Sequence, residues 1–151
     1  MTERQPEAQP QTITSTEKIL LLKSVDLFRE VPIEKLFSLV DSLLIQEYGS
    51  GETIVTQGEI GDALFVIVSG KARVEKRSED GGISPIAEIG EGEAFGEMSI
   101  LDRETRSATV RALEATRLLS LQGDDFRRLA KEDPEIGLEV AATLSRRLRR
   151  A

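Results

Sequence analysis

The residues best equipped for chemistry lie between Phe95 and Val110. Gly96 permits a close backbone approach or a dihedral closed to other residues. Glu97 to Leu101 can make one helical turn, whose exposed N–H groups favour an anion. Arg106 stands nine residues beyond Glu97, just before a β-prone run. A chain that folds back between the two would bring the guanidinium to the same anion. Its planar fork suits a phosphate, which it grips through two parallel hydrogen bonds. Ser107 adds a hydroxyl, and Glu97, an acceptor when ionised, can take hydrogen bonds from a sugar. Taken alone, this spacing is commonplace and reads first as a structural Glu97–Arg106 ion pair.

Composition removes other chemistries. The chain has no cysteine and no histidine. A disulfide framework and a thiolate metal site are excluded, and the commonest general base and transition-metal ligand are missing. Glu59 and Asp62 lack EF-type calcium spacing and read as turn residues. No catalytic residue and no metal ligand is assigned, and an enzyme is not expected. The formal net charge of −7 argues against a whole-surface nucleic-acid binder. Apolar runs such as Ile19 to Leu22 are too short to span a bilayer. The polar, acidic N-terminus does not look like a signal peptide, so a cytoplasmic location is expected.

These residues need a frame to hold them. Residues 1–15 are rich in Gln, Pro, Thr and Glu and read as a disordered tail or linker; residues 16–151 read as one domain. Thr14 and Glu17 have capping-box spacing ahead of a helix through Ile19 to Lys23. Pro32 suits a first helical position, and Ile33, Leu36, Phe37, Val40 and Leu44 recur at helical spacing. From Leu44 to Leu121 glycines punctuate short β-prone runs, which predicts a sandwich or barrel. Ala63 to Val68 is apolar throughout, as in a strand covered on both faces. Asp80-Gly81-Gly82 marks a hairpin, and Pro85 an edge or irregular stretch. Gly123 or Asp124 can cap a helical turn holding Phe126 and Leu129. Asp133-Pro134 opens a last helix, where Ile136, Val140, Leu144 and Leu148 recur every four residues. The arginines at 146, 147, 149 and 150 are expected to complement that helix's C-terminus.

The stretch FGEMSILDRETRSATV resembles the phosphate-binding cassette of cyclic-nucleotide-binding domains. GETIVTQGEIGDALFVIVSG is similar to the family's second signature, with Gly51-Glu52, Gly58, Gly61-Asp62, Phe65, Ile67 and Gly70 at the expected intervals. The resemblance covers about Thr16 to Arg150. It implies an α+β fold: an antiparallel β-roll or jelly-roll barrel with N-terminal helices, a short cassette helix and C-terminal helices. It implies that Arg106 grips a cyclic phosphate and Glu97 a ribose 2′-hydroxyl. Phe95, Gly96, Met98 and Ser99 complete the cradle, and Ser107 and Ala108 lie beside the phosphate. Thr105 departs from the proline of many members and leaves the loop less rigid. Ser107 leans the ligand to cyclic AMP over cyclic GMP. The resemblance further implies a C-terminal helix that moves in as a lid; Leu144 and Leu148, late in its apolar stripe, lie where a lid residue would reach the base. The function expected is a sensor that couples ligand binding to this movement, without a cofactor. Its output would come from a further domain or parent chain, and a homodimer is compatible with it. The alternative is a non-sensing scaffold or dimerisation module.

Overall fold

The computed structural model describes residues 13–150, so most of the expected tail lies outside the described residues. Helix α1 (Ser15–Lys23) opens with the predicted capping box: Glu17 N–H donates to Thr14 Oγ1 at 3.1 Å, and Thr14 N–H to Glu17 Oε1 at 3.0 Å. A 3-10 turn (Asp26–Phe28), helix α2 (Ile33–Leu36) and a second 3-10 segment (Phe37–Ser42) follow. The helical run expected from Pro32 to Leu44 is therefore shorter than its periodicity suggests. Pro32 is the N-cap, with extended ψ of 139°, and Leu44 opens strand β1 (Leu44–Tyr48). Leu44 pairs with Ser120, and that ladder hydrogen bonding ends the helix.

The remaining strands are β2 (Thr53–Val55), β3 (Ala63–Ser69), β4 (Lys71–Arg77), β5 (Ile83–Gly90), β6 (Ala94–Phe95), β7 (Thr109–Ala112) and β8 (Thr116–Gln122). They form two four-stranded sheets, ordered β1-β8-β3-β6 and β2-β7-β4-β5, with every pair antiparallel. The sheets face each other as a jelly roll and do not close into a barrel, because each keeps two edge strands. Pro85 lies in one of these edges. Opposite it the β4–β5 register shifts between Val74 and Glu75, which accommodates the missing N–H.

The continuous apolar run of β3 has a direct cause. Alternate side chains point to opposite faces of a sheet, and here each face meets a separate core. Ala63, Phe65 and Ile67 join Tyr48, Val55, Val110 and Leu118 between the sheets. Leu64 and Val66 join Ile45, Leu119 and Leu121 beneath a helical layer that supplies Ile19, Leu22, Phe28, Leu36, Phe126 and Ile136. Fully burying one such side chain contributes about 1.5–3 kcal/mol.

That helical layer contains α4 (Gly123–Glu132) and α5 (Pro134–Arg150). Neither Gly123 nor Asp124 is the N-cap of α4. The cap is Gln122, without a side-chain bond, and Asp124 sits in the first turn. Asp133 separates the two helices; its carboxylate meets Lys35 Nζ at 2.5 Å and accepts from Glu135 N–H at 3.3 Å.

Candidate functional site

Phe95 ends β6 and stacks on Phe65 of β3, with ring centroids 5.0 Å apart. The chain then turns at Gly96, where φ is +77°. A Cβ there would stand 2.5 Å from Arg106 Nη1 and 2.7 Å from the Ala63 carbonyl, so both dihedral and space require glycine. Helix α3 (Ser99–Asp102) follows and ends at Arg103 in the left-handed conformation, φ 55°. That reversal sends residues 104–106 back across the loop before β3. Gly61 N–H donates to Glu104 O at 3.2 Å, Arg106 N–H to Glu59 O at 2.7 Å, and Gly58 N–H to Arg106 O at 2.9 Å.

This lacing fixes the backbone of Arg106, and its side chain is inserted rather than displayed. Arg106 is 6% exposed. Nη1 donates to Ser99 Oγ at 2.9 Å and Nη2 to the Ala63 carbonyl at 3.0 Å. The guanidinium carbon lies 5.9 Å from the Phe65 ring centroid. Arg106 and Ser99 belong to opposite ends of the cassette, so their bond closes it. The cassette is held from outside by Arg127 of α4, which donates to the Ile100 carbonyl at 2.8 Å and to Asp62 at 2.8 Å. Arg103 adds ion pairs to Asp124 and Asp62.

A cleft of about 370 Å³ opens over this floor. All eight expected ligand-binding residues line it: Phe95, Gly96, Glu97, Met98, Ser99, Arg106, Ser107 and Ala108. The volume lies in the range of small-molecule sites, about 300–1,000 Å³. Val55, Val74 and Val110 give it an apolar wall, and Asp102 and Glu104 add carboxylates. The sequence reading missed these five, and it missed Gly61, whose bare Cα makes room for Arg106. Gly61 had a signal, since it sits in the second signature motif.

The expected lid residues lie elsewhere. Leu144 packs partly buried against the helical core, and Leu148 is 78% exposed; neither lines the cleft. A four-residue step overshoots a helical turn by about 40°, so three steps rotate the stripe by about 120°. The inward face of α5 instead runs through Ile136, Val140, Thr143 and Arg147. The arginine cluster correspondingly does more than complement a helix end. Arg147 reaches Asp26 Oδ2 at 2.6 Å and both Glu97 oxygens at 3.3 Å, and Arg146 reaches Glu30 at 3.6 Å. The Arg147 guanidinium holds the Asp26 carboxyl below the usual aspartate range.

The family model described as the cyclic nucleotide-binding domain matches residues 45–133, which includes the whole cassette. The chain belongs to that family. As a cyclic nucleotide-binding domain it has relatives in different settings. It is 42% identical over 104 residues to the cyclic AMP receptor protein of Thermus thermophilus, covering 69% of this chain and 48% of that protein. It is 31% identical over 124 residues to the lysophospholipase nte1 of Aspergillus oryzae, covering 77% of this chain and 8% of that protein. Among solved structures, the N-terminal domain of a transcriptional regulator from Streptomyces coelicolor A3(2) superposes with TM-score 0.78 at 31% identity. That match covers 86% of this chain and 91% of the other. The chain thus spans about half the length of the first curated relative and far less of the second. The domain is a cyclic-nucleotide-binding regulatory module with the β-roll architecture of its structural neighbours. Among the described residues no helix is long and apolar enough to cross a membrane, and no three or more His, Cys, Asp or Glu side chains are grouped so that they could hold a metal ion.

Proposed function

We propose that this domain senses a 3′,5′-cyclic nucleoside monophosphate, cyclic AMP in preference to cyclic GMP, and performs no covalent chemistry. The observation that carries the reading is the buried Arg106, fixed by Ser99 and the Ala63 carbonyl on the floor of a cleft that Glu97 also lines. Arg106 takes the cyclic phosphate, helped by Gly96 and the Met98 amide, while Ser99, whose N–H donates to the Gly96 carbonyl at 3.1 Å, holds the guanidinium through its hydroxyl. Glu97 accepts from the ribose 2′-hydroxyl, Ser107 and Ala108 flank the phosphate, and Phe95 backs the cradle through its stack on Phe65. The apolar wall of Val55, Val74 and Val110 suits the uncharged faces of sugar and base. Ser107 in place of threonine leans the choice to cyclic AMP, and the name of the Thermus thermophilus relative supports it.

Signalling requires the nucleotide to bind one arrangement of α5 better than another. Pro134 at its start and Gly137 in its first turns make α5 the element to move, carrying Leu144 and Leu148 toward the base. Output then comes from another domain or a parent chain, in the cytoplasm, and a homodimer is compatible with the exposed face of α5. The domain itself neither contacts nucleic acid nor inserts in a membrane.

Isothermal calorimetry with cyclic AMP, cyclic GMP and linear AMP tests this. Cyclic AMP should bind most tightly and linear AMP far more weakly. The linear phosphate brings additional negative charge to a cleft that already presents Glu97, Asp102 and Glu104. Equal affinity for AMP and cyclic AMP would sink the reading, and no binding of any would leave a scaffold.

A further inference from the structure

The Glu97 carboxylate is held from behind. Arg147 is separated from it by 50 residues and is not among the residues that line the cleft. Its Nη2 contacts Oε1 and Oε2 of Glu97 at 3.3 Å each. The same guanidinium is anchored more tightly on Asp26, with Nε donating at 2.7 Å and Nη2 at 2.6 Å from the same oxygen. All three side chains are about one-third exposed, so the group is neither dry nor fully screened.

We propose that Arg147 is a positioning residue for ribose recognition: anchored by Asp26, it holds the Glu97 carboxylate where a sugar hydroxyl can donate to it. This rests on the nucleotide reading of the cleft. Glutamate is a rotamer-rich side chain, and ordering it on binding would subtract from affinity. A carboxylate that is already ordered avoids that loss. Arg147 need not compete with the ligand, because an ionised carboxylate has about four acceptor sites and the guanidinium uses only part of them. It also approaches from the α5 side and takes up none of the cleft. The arrangement further joins three elements, since one side chain of α5 touches the 3-10 turn at Asp26 and the cassette at Glu97.

The test is a calorimetric comparison of cyclic AMP with 2′-deoxy-3′,5′-cyclic AMP, which lacks the hydroxyl Glu97 would accept from. The wild-type domain, Arg147→Ala, Arg147→Lys and Asp26→Asn are titrated with both. The wild type should prefer the ribonucleotide. Arg147→Ala should weaken cyclic AMP about tenfold, or about 1.4 kcal/mol, and leave the deoxy compound within about twofold. Arg147→Lys should recover part of the preference, and Asp26→Asn should lose part of it. Equal weakening of both ligands by Arg147→Ala would make Arg147 merely structural. Tighter cyclic AMP binding would make it a competitor, and unchanged binding a bystander; each overturns the proposal. A wild type that binds cyclic AMP without preferring it over the deoxy form removes Glu97's role and the proposal with it. A wild type that binds neither nucleotide brings down the nucleotide reading itself, which no variant result can imitate.

Discussion

The side chain of Arg106 lies against the bare Cα of Gly61, so closely that a Cβ on residue 61 would stand 2.2 Å from Nε and 2.5 Å from Cζ. The arginine cannot yield at low cost, because its guanidinium is bonded at the far side to Ser99 and Ala63. Gly61→Ala should therefore unseat the guanidinium. Overpacking of this kind costs about 1–3 kcal/mol of stability. Nucleotide affinity should fall by a factor larger than the stability loss implies, measured by calorimetry beside urea denaturation. Wild-type affinity in Gly61→Ala would mean that Arg106 does not need its observed seat.

Arg106→Ala removes the charge and leaves the cassette backbone laced to Gly58, Glu59 and Gly61. The loss in binding should be about 2–5 kcal/mol, as for a buried charged partner. The thermal midpoint should move much less. Glu97→Gln should cost less affinity than Arg106→Ala, since the amide keeps one acceptor oxygen. A variant at 106 that binds normally, or one that simply unfolds, would assign the arginine a structural role.

Acid should destabilise the domain through identifiable carboxylates. The Arg73 hydrogen bond, followed by the Arg111 charge, holds the buried Glu75 carboxyl below its ordinary 4.5. The Arg147 hydrogen bond likewise holds Asp26 below 3.8. A carboxyl with a depressed folded pKa contributes stability above its unfolded pKa and loses it as pH falls through the folded one. Urea midpoints should thus fall as pH drops below about 4. Glu75→Gln should lower stability at neutral pH and flatten that acid slope. A variant with an unchanged slope would remove Glu75 from the account.

Gly137 lies within α5, and a Cβ there meets nothing within 4 Å. Gly137→Ala should raise stability by about 0.5–1 kcal/mol, because alanine loses less conformational entropy in a helix. A lower thermal midpoint would indicate a backbone role for this glycine.

Amide exchange with and without saturating cyclic AMP reports whether α5 responds to the ligand. Protection should rise at residues 96–102 and change across residues 141–149, where Leu144, Arg147 and Leu148 lie. If the cassette becomes protected while α5 is unaltered, the domain signals by another surface.

Much of this molecule could be read along the chain, because its local signals are properties of neighbouring residues. Thr14 and Glu17 announced a helix start, and Asp80-Gly81-Gly82 a hairpin. The apolar run of β3 announced a strand covered twice, and the cassette motif put Gly96, Glu97 and Arg106 at one cleft. Side-chain alternation, dihedral preference and cap chemistry act over a few residues, so a sequence window contains their causes. The contacts that tune the site do not lie in such a window. Leu148 looked like part of an inward stripe, yet accumulated helical rotation turned it to solvent and turned Arg147 inward. Only the packing of α5 against the Asp26 turn brings Arg147 to Glu97, and only the return of the cassette across the loop before β3 lays Arg106 on Gly61. Those pairings depend on which faces the two cores draw together, a relation set by burial across the whole domain rather than by spacing along the chain.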